Sequence, residues 1–117
     1  MSPTKQTFPD YSVVKSTDMA IHSPEPGLVR RVGAYNEKLF LAEHRMQKGW
    51  VGTRHQHPHD QVVFVVTGQL SVTIGDETFV VNAGDSFVVR GGIEHQATAL
   101  ADAVVLDVFT PCREDYL

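Results

Sequence analysis

The chain has 117 residues, 42% of them hydrophobic, and a net charge of −4 with histidine counted as neutral. That length supports one domain with a real core. The acidic balance, with no basic run, excludes nucleic acid and anionic membrane as expected partners. The single cysteine, Cys112, excludes an intrachain disulfide. No apolar run nears the roughly 18 residues of a spanning helix, and MSPTKQTFPDYS lacks a signal-peptide h-region, so a soluble, cytoplasmic protein is expected.

Residues 1–27 are polar and contain Pro3, Pro9, Pro24 and Pro26, which predicts an N-terminal arm whose one candidate strand is YSVVKS. Residues 28–117 read as a single barrel domain. LVRRVGAY, KLFLAEHRM, DQVVFVVT, QLSVTIG, TFVVN, SFVVR and AVVLDVF follow one another, each short and rich in Val, Phe, Leu or Thr. Turn signals separate them at Asn36-Glu37, Lys48-Gly49, Gly75-Asp76, Asn82-Ala83-Gly84 and Gly91-Gly92. Short strands at this spacing, with no helical period, predict an all-β sandwich or barrel. LSVTIGDETFVV is the clearest hairpin, turning at Gly75-Asp76. VVLDVF is apolar on both faces except for Asp107, so something is expected to cover the outside of that strand. A partner subunit or the arm would serve, and a homodimer is the expected assembly.

The stretch RHQHPHDQ, residues 54–61, holds half of the six histidines. Side chains two apart in a strand share a face. A strand running from about Thr53 into QVVFVV would therefore point His55, His57 and Gln61 the same way, with His59 turned aside by Pro58. Imidazoles on such a strand form a preset ligand pair for Zn, Fe, Ni or Cu. His95, after a double-glycine turn and at the start of a strand, is the candidate third imidazole.

These residues sit in a long spaced pattern. Gly49, His55, His57, Gln61 and Gly68 resemble the first motif of the cupin superfamily, G-x5-H-x-H-x3-E-x6-G, with Gln61 at the acid position. Gly84, Gly92 and His95 resemble the second motif, G-x5-P-x-G-x2-H-x3-N, with Arg90 in place of Pro and Ala99 in place of Asn. The resemblance implies a double-stranded β-helix, the cupin jelly-roll barrel. It also implies one divalent metal ion (Ni, Zn, Fe or Mn) held by His55, His57, Gln61 and His95. Gln61 is alternatively a bystander to a three-histidine site. As a ligand, the neutral amide would leave the ion's charge uncompensated and favour a small anionic substrate and Lewis-acid chemistry.

HQHPHDQ and the tail VVLDVFTPCREDYL further resemble the KdgF-like proteins of pectin and alginate breakdown. That likeness implies catalytic roles for Asp107, Phe109 and Arg113 and a sugar-acid substrate. It suggests conversion of 4,5-unsaturated uronate monosaccharides into the linear keto form. The residues are compatible with those roles. A carboxylate in an apolar strand needs a polar cavity, a metal-bound ligand or an arginine, or else belongs to a structural ion pair. Arg113 is either a fork for a substrate carboxylate or an exposed terminal charge. Phe109 reads as core that can also wall a pocket. His22 and His44 read as structural or solvated, Trp50 as packing, and Cys112 has no role. A metal-dependent dioxygenase and a non-catalytic small-molecule-binding cupin are the alternative functions.

Overall fold

Side-chain alternation along the apolar runs sorts the chain into two antiparallel sheets with one shared interior. The computed structural model describes residues 8–117. Its strands are β1 (Ala20–Glu25), β2 (Leu28–Tyr35), β3 (Phe40–Met46), β4 (Asp60–Thr67), β5 (Gln69–Ile74), β6 (Glu77–Asn82), β7 (Ser86–Val89), β8 (His95–Ala99) and β9 (Ala103–Thr110). Among the described residues the helical elements are two single 3-10 turns, Ser16–Asp18 and Glu114–Tyr116. One sheet has the order β1-β2-β3-β9-β4-β7 and the other β6-β5-β8. Together they form the expected all-β cupin barrel.

The period-two pattern explains which face is inside. On β9, Ala103, Val105, Asp107 and Phe109 are buried, while Val108 faces outward. On β4, Val63 and Val65 are buried and Val62, Phe64 and Val66 are exposed. The inner valines meet Leu70, Val72 and Ala99 of the smaller sheet in one cluster. Each such Val or Leu contributes about 1.5–3 kcal/mol by leaving water. A second cluster, around Phe40 and Phe109, closes one end.

Two expectations need adjustment. YSVVKS is not a strand. The ladder on the edge of β2 starts at Ala20, paired with Val32, and the Ser16–Asp18 turn takes the chain out of register before it. Residues 1–7 of the expected arm lie outside the described residues. HQATA was expected only as a strand start, because it lacks an apolar run. It forms β8 by pairing along β5, from Leu70 with Ala99 to Ile74 with His95. The hairpin at Gly75-Asp76 is present, joining β5 to β6.

Candidate metal centre

The segment before β4 is not an extension of it. Pro58 carries no N–H for a ladder, and β4 begins only at Asp60. The predicted strand from Thr53 is thus corrected to a loop, and other contacts hold its histidines in place. His55 N–H donates to the His95 carbonyl at 3.0 Å, and His95 N–H donates back to the His55 carbonyl at 2.9 Å. Gly92 N–H donates to the His57 carbonyl at 2.8 Å, and Gly91 N–H donates to Asp60 Oδ1 at 2.7 Å. The double-glycine turn is therefore the clamp on the histidine loop.

Each of the three imidazoles is oriented by a backbone oxygen two residues away. His55 Nδ1 lies 2.8 Å from the Thr53 carbonyl, His57 Nδ1 3.0 Å from that of His59, and His95 Nδ1 2.9 Å from that of Ile93. A neutral imidazole that donates through Nδ1 presents a lone pair at Nε2. Ligand atoms of the three rings lie within 4.8 Å of one another. His57 is 9% exposed and His95 6% exposed, while His55 opens to solvent. Burial holds the His57 imidazole below its usual range, helped by the nearby Arg113 charge. Burial does the same to His95. Both are therefore poised as neutral donors at neutral pH.

Two observations show that these donors fit a cation. His95 Nε2 is buried with no hydrogen-bond partner. His57 Nε2 lies 2.9 Å from Gln61 Oε1, so a neutral imidazole that donates through Nδ1 puts its lone pair against an oxygen lone pair. An ion between them removes that conflict. Three imidazoles beside an amide oxygen suit a borderline divalent ion.

Asp107 lies behind Gln61, and the register shows why. Ala42 of β3 and Val63 of β4 stand directly opposite Asp107. His44 and Gln61, each two residues along on the same inner face, are then its diagonal neighbours. His44 Nδ1 lies 2.6 Å from Asp107 Oδ2, and Gln61 Nε2 donates to Asp107 Oδ1 at 2.7 Å. Arg30, opposite His44 on β2, donates from Nε to His44 Nε2 at 3.0 Å. Asp107 is 4% exposed. The burial cost of its carboxylate is met by these donors rather than by a direct arginine pair. Sequence reasoning passed over His44 and Arg30. The available signal was the shared parity of Phe40, Ala42, His44 and Met46, which places His44 inward.

Arg113 folds back over the barrel mouth and is 6% exposed. It is not a solvated terminal charge. Asp115 accepts from its Nε at 2.9 Å and Nη2 at 2.7 Å, and its guanidinium lies 4.7 Å from the Phe109 ring and 4.0 Å from the Tyr116 ring. Its Nη1 is buried without a partner. Phe109 is core and wall at once, with its ring 5.8 Å from that of His57. His55, Gln61, His95, Asp107, Phe109 and Arg113 all line one cavity of about 320 Å³. Trp50 lines it too, tied by Nε1 to Glu25 of β1 at 2.9 Å. His59 is turned away, as expected, with Nε2 3.1 Å from the Cys112 carbonyl. His22 is exposed, and burial pushes the Cys112 thiol up, away from reactivity.

Comparisons with known proteins agree with this fold. The cupin domain family profile matches residues 42–109. The structure of KdgF from Halomonas sp. superposes with a TM-score of 0.86 at 35% identity, covering 92% of this chain and 99% of that one. An RmlC-like cupin from Shewanella frigidimarina gives 0.86 at 30% identity, covering 92% and 97%. An uncharacterized protein of Streptomyces coelicolor is 38% identical over 87 residues, which is 68% of this chain and 81% of that protein.

Proposed function

The chain belongs to the cupin domain family, within its small KdgF-like group, and from that premise we propose that it is a metal-dependent, non-redox enzyme. In this reading it opens and ketonises 4,5-unsaturated uronate monosaccharides in the cytoplasm. One observation carries the proposal. Two imidazoles of the three-histidine cluster, His55 and His95, line a single cavity of sugar-ring size together with the Asp107 carboxylate and Arg113, whose Nη1 has no partner. His55, His57, His95 and the Gln61 oxygen would hold one divalent ion. When bound, that ion supplies Lewis acidity toward substrate oxygens.

The protein's own groups do the rest. Arg113 Nη1 receives the substrate carboxylate, and Phe109 and Trp50 keep the ring out of water. Asp107 accepts the proton of the anomeric hydroxyl. As C1=O forms, the C1–O5 bond breaks and leaves an enolate oxygen on C5. Return of a proton to C4 converts that enolate to the ketone. Electrons balance without an oxidant.

The test is the loss of enol-ether absorbance with 4,5-unsaturated galacturonate and its alginate-derived counterpart. We expect acceleration that requires metal, is unchanged without O₂, and drops at least about 100-fold in Asp107→Ala. A fully metal-loaded protein that accelerates neither substrate would sink the reading. O₂ uptake on phenolic or diketone compounds would point instead to a dioxygenase.

We infer further that two copies associate. Among the described residues, Val62, Phe64 and Val66 of β4, with Val88 and Val108 beside them, form an exposed apolar face on the six-stranded sheet.

A further inference from the structure

We propose that the row Arg30–His44–Asp107 sets the polarity of the Gln61 amide, so that its oxygen and not its N–H2 faces the metal site. The inference rests on the reading of Gln61 as a ligand, and it gives Asp107 a positioning role beside the proton transfer. Each link is forced by what the groups can donate. An arginine Nε–H only donates, so His44 Nε2, 3.0 Å away, must accept. His44 then carries its hydrogen on Nδ1 and directs it at Asp107 Oδ2 over 2.6 Å. The other carboxylate oxygen only accepts, so the Gln61 atom 2.7 Å from Asp107 Oδ1 must be the amide nitrogen. The Gln61 oxygen is left 2.9 Å from His57 Nε2. Direction passes from β2 through β3 and β9 to β4, along one inner face of one sheet. A glutamine amide is symmetric enough to flip, unlike a carboxylate ligand. This site therefore needs a device that a Glu at the same position would not.

The test reads metal affinity rather than turnover, using Zn²⁺ or Ni²⁺ in competition with a chelator. Asp107→Asn keeps the shape but leaves one acceptor, which the fixed N–H of His44 claims. The new –NH2 then faces Gln61, which must turn its oxygen to it and point N–H2 at the metal. Affinity is expected to fall about 10–100-fold. Adding Gln61→Glu to that variant should restore it, because one carboxylate oxygen accepts from the new amide and the other faces the ion. In the wild-type background the same change sets two carboxylates against each other. Gln61→Glu should therefore help at least about 10-fold more beside Asp107→Asn than alone. Additive effects, or an Asp107→Asn variant that binds as wild type does, would overturn the inference while leaving the metal centre standing. Wild-type protein that binds no better than His95→Ala would overturn both. Thermal melts of the chelated variants verify folding. One readout needs no variant: ¹⁵N spectra of the wild type should show His44 as the Nδ1–H tautomer, and the Nε2–H tautomer also overturns the proposal.

Discussion

His57 and His95 are buried imidazoles whose neutral form the fold prefers, and that preference makes stability depend on pH. In the unfolded chain both return to about 6.5. Below that value the unfolded state binds protons that the folded state refuses, so the metal-free protein loses stability as pH falls through the window beneath about 6.5. Added metal should steepen the loss, because protons compete for the same nitrogens. Urea midpoints from about pH 8 to about pH 5, with chelator and with Zn²⁺, measure both effects. A flat metal-free profile would show that neither ring is buried neutral. At this scale much of the site was legible. His55, His57 and His95 stood out by spacing, and Asp107 by being the one charge in an apolar strand. The inward facing of His44 was legible from parity, but its role was not, because that comes from Arg30 directly opposite on β2 and Asp107 diagonal on β9, which only the register supplies. The contacts of Arg113 were equally out of reach, since they depend on how the tail folds back over Phe109 and Tyr116.

The turn Gly91-Gly92 and the histidine loop work as one element. Gly91 lies so close to the Pro58 carbonyl that an added Cβ would overlap it, whereas Gly92 has open space around it at φ 84°. Adjacent glycines thus serve different ends. Gly92→Ala meets only backbone strain and should cost about 1–2 kcal/mol while sparing metal affinity. Gly91→Ala must push Pro58 away and move His57 with it. It should cost about 2–4 kcal/mol and lower affinity at least about 10-fold. Paired melting and metal-titration curves distinguish them, and equal effects at the two positions would refute the clamp. Strand positions were readable because β2, β4, β5 and β9 alternate inward and outward with turn residues between them. The loop from Thr53 to His59 was misread because parity alone cannot tell a strand from a loop pinned by one bridge and two turn hydrogen bonds. β8 lacks an apolar run, because Gln96 and Thr98 face less buried surroundings.

For the whole molecule, the question left by VVLDVF is what covers its outer face. The described part of the arm does not. It adds β1 to the far edge of the sheet, with three strands between it and β4. Val62 stands between Val88 and Val108 in the register, with Phe64 next on the same face, and Val88 is 67% exposed. A patch continuous over three neighbouring strands differs from scattered surface valines and marks a contact surface. Farther along the sheet, Arg31 and Arg45 flank Glu43 in ion pairs, which supplies the polar rim that such contacts have. In the dimer proposed above, this face would meet its own copy about a two-fold axis, each patch serving both sides. Light scattering at micromolar concentration should therefore give twice the chain mass. Phe64→Glu points into solvent in the single chain, so it should leave the fold and the metal site intact. In the pair it sets two carboxylates in an apolar contact and should raise the dimer dissociation constant at least about 100-fold. A wild-type monomer under these conditions would remove the dimer and leave the apolar face to another partner. A Phe64→Glu variant that stayed dimeric would move the interface elsewhere on the chain.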